Sequence, residues 1–169
     1  MRNLIVADAG PLIALGRIDA LALLSEVATR VLVPTVVEAE CLHDRTKPGI
    51  APIETAFAEG LLQPQPESPN VSSTPLPGLG LGESVAIELA EMLGLPLLID
   101  ERLGRRIATQ RGVRVIGTLA VLVLARRRGR IAALSPVLSQ LAENGYFVSE
   151  ALIDSALRSV GERERRGPN

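Results

Sequence analysis

Short apolar runs alternate along this chain with segments whose apolar residues recur at helical spacing. The first run, Leu4–Ala7, ends at Asp8, and Gly10-Pro11 then stops the strand and favours a helix start. Similar runs predict further strands over 31–33, 61–63, 96–99 and 113–116. The spacing of the intervening segments predicts helices over 11–18, 19–27 with Asp19 as N-cap, 34–40, 52–59, 83–93, 101–111, 118–129, 136–144 and 149–160.

Strands that alternate with helices predict a parallel β-sheet covered by helices on both faces. The predicted strands are short and uniformly apolar, which is what a sheet buried on both sides requires. Ligands in folds of this class bind at the carboxyl ends of the strands. Asp8 and Asp100 each follow a predicted strand directly, so this edge of the sheet is where we expect the functional site.

The segment 63–82 is the one long irregular stretch of the sequence. It contains five prolines, followed by Gly78, Gly80 and Gly82. A loop of this length in a compact domain is either mobile or functional, and we expect it to cover the site. The chain length suits a single domain, which we place at residues 1–161. Residues 162–169 form a charged tail that we expect to fray.

Composition narrows the class of protein. Of the 169 residues, 47% are apolar and 22% are charged, which is typical of a globular chain rather than a disordered one. The formal net charge is −1. That value excludes a protein that binds nucleic acid through its overall positive charge, although a local cluster of arginines can still bind nucleic acid.

The chain has one cysteine, Cys41, and one histidine, His43. A single cysteine forms no internal disulfide, which fits a reducing compartment, and one residue of each type excludes a zinc site built from Cys and His alone. The N-terminus lacks the pattern of a signal peptide, and no apolar run approaches the ~18 residues that span a bilayer. We therefore expect a cytoplasmic protein without a membrane segment.

Four acidic residues are positioned to converge at the carboxyl edge of the sheet: Asp8, Glu40, Glu83 and Asp100. Like charges about 4 Å apart repel by roughly 4 kcal/mol at an effective dielectric near 20, so such a cluster must bind cations or protons. Ligands that are all oxygen atoms favour Mg²⁺ or Mn²⁺. Magnesium held by carboxylates indicates phosphodiester or phosphoryl-transfer chemistry.

Each of these acids also has a structural interpretation. Asp8 and Asp100 are well placed to cap helices, and Glu83 is a first-turn acid that complements a helix dipole. Glu38 is an alternative to Glu40 as the site residue of this helix. Residues two apart on a helix face nearly opposite sides, so only one of the two can point at the site. Glu101 lies beside Asp100, so either one can be the metal ligand.

The arginines form two clusters. Arg102 and Arg105 begin the helix after Asp100 and are candidates to hold a phosphate backbone. The second cluster, 126–130, ends an apolar helix, and there we favour solvation and dipole complementation. A role for His43 or for the glycines of 78–82 is weaker, because no second histidine and no complete phosphate-loop motif accompany them.

The order of motifs resembles that of the PIN-domain nucleases. Val6-Ala7-Asp8-Ala9-Gly10-Pro11 is similar to their opening motif, and Val33-Pro34 through Glu40 is similar to the second. Gly82-Glu83-Ser84-Val85-Ala86-Ile87 and Leu97-Leu98-Ile99-Asp100-Glu101-Arg102 resemble the third and fourth. Gly117-Thr118-Leu119 through Gly129 resembles one prokaryotic branch. Glu83 stands where many relatives have Asp.

The resemblance implies an α/β fold, a three-layer α/β/α sandwich around a parallel sheet of four to five strands. It implies a Mg²⁺- or Mn²⁺-dependent endoribonuclease whose catalytic residues are Asp8, Glu40, Glu83 and Asp100, with the same four and Glu101 as metal ligands. Many relatives are toxins of type II toxin–antitoxin pairs, so RNA, a small cognate antitoxin and a second copy of the chain are the expected partners. The alternative is a catalytically inactive module that binds RNA or another protein.

Overall fold

The computed structural model describes residues 3–69, 71–72 and 74–162. Its centre is a single sheet of five parallel strands in the order β3-β2-β1-β4-β5. The strands are β1 (Leu4–Ala7), β2 (Arg30–Pro34), β3 (Leu62–Gln65), β4 (Leu97–Leu98) and β5 (Val115–Ile116). The parallel sheet flanked by helices confirms the α/β sandwich predicted from the sequence.

Eight α-helices surround the sheet in the described part of the chain. They are α1 (Ala9–Arg17), α2 (Thr35–Leu42), α3 (Ile50–Ala58), α4 (Leu81–Leu93), α5 (Arg102–Gln110), α6 (Thr118–Arg127), α7 (Leu134–Glu143) and α8 (Glu150–Ser159). Successive residues of a strand point to opposite faces. Ile5, Val6 and Ala7 are all buried, so helices cover β1 from both sides. No helix within these described ranges is long and apolar enough to cross a membrane.

The strand order places a topological switch point between β1 and β4. The chain runs outward from β1 to β2 and β3 on one side, and then to β4 and β5 on the other. The backbone N–H of Asp8 donates to the carbonyl of Leu98 at 3.0 Å, which joins the carboxyl ends of the two strands. A crevice at such a point is where this class of sheet binds ligands.

Two local predictions from the sequence are wrong. The helix expected over 19–27 is a 3₁₀ helix at Leu21–Glu26, and Asp19 has φ +53° in the turn before it instead of acting as its N-cap. The strand expected to end at Gln63 continues through Pro64 to Gln65. Proline is tolerated there because β3 lies at the edge of the sheet, where one side of the strand needs no ladder hydrogen bond.

The long segment before α4 is tied to the domain at several described positions. The carboxylate of Glu67 accepts bonds from the Thr35 hydroxyl and from the N–H of Val36 at 2.9 Å, and so caps α2. The N–H of Leu76 donates to the Ser84 hydroxyl at 2.8 Å. These bonds hold the segment against the start of α2 and of α4.

The second arginine cluster joins distant parts of the fold. Arg128 and Arg130 pair with Glu26 at 3.1 and 2.8 Å, and the Glu26 side chain is only 7% exposed. Arg126 pairs with Glu162, whose carboxylate also accepts from the N–H of Leu134 at the start of α7. Glu162, assigned to the tail from the sequence, is therefore held by the folded domain. The rest of the proposed tail, 163–169, lies outside the described residues.

Two glycines allow the α2–α3 loop to rest directly on α1. Gly49 has φ +95°, and a Cβ built there would lie 2.7 Å from the backbone nitrogen of Arg17. A Cβ on Gly16 would lie 2.8 Å from the carbonyl oxygen of Gly49. Any side chain at either position would force the loop away from the helix.

We expect Gly49→Ala to destabilise the protein more than Gly60→Ala. Both glycines have positive φ, which costs an alanine roughly 1–2 kcal/mol, but a Cβ on Gly60 has nothing within 4 Å. Only Gly49→Ala adds a collision with backbone atoms. Urea denaturation of the two variants measures the difference, and equal losses of unfolding free energy would contradict the close contact.

Candidate active site

Asp8 is a buried acid at the carboxyl end of the central strand. Its residue is 5% exposed, and it occupies the N-cap position of α1. Its side chain nevertheless makes no capping hydrogen bond. Within the described residues, its Oδ1 is buried and has no hydrogen-bond partner. A buried polar atom without a partner costs about 1–3 kcal/mol, so helix capping does not account for Asp8.

The surroundings of Asp8 disfavour its charged form. Burial raises the pKa of the Asp8 carboxyl to about 6, and the negative charges of Glu83 and Glu40 add to the rise. The backbone amides of Ala9 and Gly10 face the carboxyl and act in the opposite direction. An acid in this position is expected to bind either a proton or a cation.

Glu40 reaches the same region from the last turn of α2. A Cβ built on Gly82 would lie 2.5 Å from Glu40 Oε1 and 2.7 Å from Oε2, so only glycine leaves room for this carboxylate beside α4. Burial raises the pKa of Glu40 and the charge of Glu83 adds to this, while the Gly82 amide lowers it. Of the two glutamates weighed on α2, Glu40 is the one whose carboxylate the structure brings to Gly82.

Glu83 combines the two roles considered from the sequence. Its Oε2 accepts from the backbone N–H of Gly80 at 2.9 Å, which satisfies a donor at the start of α4. Its charge is also among those that raise the pKa of Asp8 and of Glu40. The structure therefore brings Asp8, Glu40 and Glu83 into one electrostatic neighbourhood.

Asp100 and Glu101 have partners of a different kind. Asp100 accepts from the N–H and the hydroxyl of Thr118 at 2.8 and 2.6 Å, at the start of α6. Burial raises the pKa of Tyr146, and the charge of Asp100 and a side-chain hydrogen bond to it add to that rise. Glu101 caps α5 by accepting from the N–H of Gly104. Their assignment as metal ligands stays a prediction.

Neither Tyr146 nor the bond from Thr118 to Asp100 was predicted from the sequence. The available signals were weak: Thr118 follows Gly117 at a predicted helix start, and Tyr146 is the one tyrosine of a chain with 2% aromatic residues. The two residues approach Asp100 from positions 18 and 46 residues further along the chain. Such separations leave no local pattern.

The acids Asp8, Glu40 and Glu83 at the switch point are too far apart to form a complete metal centre. Among the described residues, no three Asp, Glu, His or Cys side chains lie close enough together to form such a centre. The unpartnered Oδ1 of Asp8, the space left at Gly82 and the all-oxygen chemistry of Asp8, Glu40 and Glu83 nevertheless fit Mg²⁺ or Mn²⁺. Asp8, Glu40 and Glu83 are the carboxylates that would have to draw closer together to hold such an ion.

The two candidate phosphate-binding arginines of α5, Arg102 and Arg105, differ in their surroundings. Arg102 is exposed at the start of α5. Arg105 donates through NH1 to the carbonyl of Ile99 at 2.9 Å, next to Gly117. Arg102 is thus the more available of the two for a phosphate, while Arg105 also supports the end of β4.

Cys41 lies close to the acids but is not a nucleophile. It is buried in α2, and burial together with the charges of Asp8 and Glu40 raises the pKa of its thiol to about 12. The thiol stays protonated at neutral pH, so Cys41 acts as a small core residue.

A family model described as a PIN domain matches residues 4–162 of this chain. The match begins with the first residue of β1 and ends at Glu162, so it spans all five strands and both groups of acids. No match was found among curated proteins or among solved structures.

We expect Asp8 to make metal-free stability fall between about pH 4 and pH 6. Because its pKa is about 6 in the folded state against an ordinary value of 3.8, the folded state binds more protons than the unfolded chain across this window. The free energy of unfolding therefore decreases as pH rises, by roughly 3 kcal/mol in total. Urea denaturation in EDTA at pH 4.5 and 7.5 should show a smaller decrease for Asp8→Asn. Identical decreases in both proteins would contradict the raised pKa.

We expect Gly82→Ala to retain the fold and to impair the acid cluster. Alanine favours a helix over glycine by roughly 1 kcal/mol, while its Cβ displaces the flexible Glu40 carboxylate. The rise in melting temperature on adding Mn²⁺ should fall at least by half. Gly80→Ala is the matched control, because a Cβ there lies 3.6 Å from its nearest neighbour, Glu83 Oε2. Equal Mn²⁺ effects in the two variants would show that Gly82 does not position Glu40.

Proposed function

This chain belongs to the PIN-domain family, and we propose on that premise that it is a metal-dependent endoribonuclease that hydrolyses RNA phosphodiester bonds. PIN domains are generally nucleases and typically use divalent metals. The observation that carries the proposal is the Oδ1 of Asp8 at the sheet's switch point, which is buried without a partner among the described residues and lies near the charges of Glu40 and Glu83. A buried carboxylate oxygen without a hydrogen-bond partner lowers stability, so its presence in a fold indicates a site that binds a ligand.

The proposed roles follow from the position of each side chain. Asp8, Glu40 and Glu83 would hold the cation, and Gly82 leaves the space that the Glu40 carboxylate needs. When bound there, a divalent cation would supply Lewis-acid chemistry for hydrolysis of a phosphodiester. The carboxylates themselves are the protein groups that orient the attacking water.

Asp100 is the fourth proposed catalytic residue, and Glu101 is its proposed alternative as a metal ligand. The two bonds from Thr118 fix the Asp100 carboxylate in one orientation, which suits either a ligand or a group that orients water. Arg102 and Arg105 are proposed to bind the RNA backbone next to it. Phosphate contacts of this kind position RNA without reading its sequence.

A catalytically inactive module that binds RNA or a protein is the second candidate. The observation that favours it is the lack, among the described residues, of three acids within the reach of one metal ion. Titration calorimetry with Mg²⁺ and an RNA cleavage assay separate the two functions. Metal binding without cleavage of any RNA would support the inactive module.

We further propose that this protein is the toxin of a type II toxin–antitoxin pair. It would form a homodimer and a complex with a small cognate antitoxin. Phe147 is 91% exposed and Leu152 is 56% exposed, and such large apolar side chains are expected to be covered in a complex. Light scattering at high protein concentration should give twice the mass of the chain. A monomer that stays monomeric with the product of the neighbouring gene would exclude both assemblies.

We expect Asp8→Asn to lower the rate of RNA cleavage by at least two orders of magnitude, because charge stabilisation at such sites contributes several kcal/mol. The assay compares the variant and the wild type with Mn²⁺, and EDTA should abolish cleavage by both. In EDTA the variant should be at least as stable as the wild type, since one buried charge is removed.

Glu38→Gln is the matched control for this experiment. It removes a half-buried carboxylate from the same helix as Glu40, and cleavage should stay within about threefold of the wild type because Glu38 is not among the groups nearest Gly82. Full activity of Asp8→Asn would exclude Asp8 from the metal site and contradict the proposed mechanism.

A further inference from the structure

A pocket of about 110 Å³ opens next to Glu40, and the proposed catalytic mechanism does not use it. It lies between α1, α2, the α2–α3 loop and α3. Its apolar walls include Ile13, Cys41 and Ile53. Because Glu40 lines the pocket and also belongs to the acid cluster, a ligand bound here would lie beside that cluster.

The polar groups of the pocket include both hydrogen-bond donors and acceptors. Arg17, Lys47 and His43 can donate, and the carboxylates of Glu40 and Asp44 accept. The Nε of Arg17 is buried and has no partner within the described residues, while its NH1 donates to the carbonyl of Asn144 at 2.9 Å. One fixed donor is therefore left without an acceptor.

The charges of the side chains that line the pocket indicate which class of ligand it can bind. The lining carries two positive side chains, Arg17 and Lys47, and two carboxylates, Glu40 and Asp44, so it has no net positive charge. A phosphate would need an excess of positive charge. A neutral, flat ligand with donors and acceptors on its edge fits both the mixed rim and the apolar walls.

The volume is consistent with one heterocyclic ring system. At roughly 30 Å³ per water molecule, the pocket has the room of three or four waters. That space accommodates a nucleobase and is too small for a whole nucleotide with its ribose and phosphate.

The wall formed by the α2–α3 loop is built into the fold. The Asp44 side chain accepts from the N–H and hydroxyl of Thr46 at 3.1 and 2.6 Å, and the Lys47 N–H donates to the Asp44 carbonyl at 3.0 Å. The contact between Gly49 and Gly16 then fixes the loop on α1. The pocket is therefore formed before a ligand arrives, which lowers the entropic cost of binding.

We propose that this pocket, called here the base pocket, receives one unstacked nucleobase of single-stranded RNA next to the phosphodiester that is cleaved. The assignment rests on the proposed ribonuclease function. Proteins read single-stranded RNA by holding splayed-out bases through their edges and faces. The base pocket thus supplies nucleotide preference at one position beside the cleavage site.

The first test measures nucleotide preference. A set of short RNAs carries each of the four bases or an abasic nucleotide at every position around the cleavage site. We expect one position at which the wild type prefers one base over the abasic nucleotide by about tenfold or more in kcat/KM. The double variant His43→Ala, Lys47→Met should lose that preference, so that its kcat/KM for the RNA with the preferred base falls to its kcat/KM for the abasic RNA.

Arg45→Ala is the matched control. Arg45 lies in the same loop, between His43 and Lys47, but it pairs with Glu54 at 3.6 Å and does not line the pocket. This variant should keep the wild-type preference. An unchanged preference in the double variant, or an equal loss in Arg45→Ala, would overturn the assignment.

The second test does not depend on cleavage. Lys47 is the single lysine of the chain, so acylation of its amine can be followed by mass spectrometry without competing lysines. In Asp8→Asn, an uncleaved RNA with the preferred base should slow acylation severalfold, whereas the abasic RNA and inorganic phosphate should not. Equal protection by phosphate would identify a phosphate site and overturn the base assignment.

The two tests separate failure of this inference from failure of the proposed function. RNA that is cleaved with no effect of the pocket variants, and bound without protecting Lys47, overturns the base pocket and leaves the ribonuclease intact. A protein that neither cleaves nor binds any of the RNAs contradicts the proposed function and the base pocket with it.

Discussion

The burial of one carboxylate, that of Asp8, is the constraint on which the functional part of this molecule depends. An acid without a hydrogen-bond partner for one oxygen, placed among other negative charges, lowers stability unless it binds a proton or a cation. The rest of the fold is stable enough to hold it there. Strands β1, β2 and β4 are apolar on both faces, and the buried side chains around them form one continuous core.

Close backbone approach is the second feature that organises the site. Gly82 lets the Glu40 carboxylate lie against α4, and Gly16 and Gly49 let the α2–α3 loop lie against α1. Glu40 therefore belongs to the acid cluster and also lines the pocket between α1, α2 and α3. Small residues thus determine where larger and charged residues can reach.

Helix capping and ligand binding use the same residue types, and the structure shows acids at helix starts both with and without a cap bond. Glu101 and Glu67 cap α5 and α2, and Asp100 is bonded at the start of α6, whereas Asp8 occupies an N-cap position without forming the cap bond. Glu83 accepts a bond at the start of α4 and also contributes charge to the site. The arginines of 126–130 also combine two roles. They end an apolar helix, and three of them form ion pairs with Glu26 and Glu162 that join segments far apart in sequence.

The sequence by itself determined the alternation of strands and helices, the parallel sheet and the position of Asp8 at a strand end, because each depends on local periodicity and on Gly and Pro signals. It also determined the family resemblance through the order of its motifs. Only the tertiary structure decided that Glu40 rather than Glu38 meets Gly82, that Asp100 bonds to Thr118, and that Leu21–Glu26 forms a 3₁₀ helix. Those outcomes depend on contacts between residues distant along the chain, or on the packing of short elements, and neither leaves a periodic signal in the sequence.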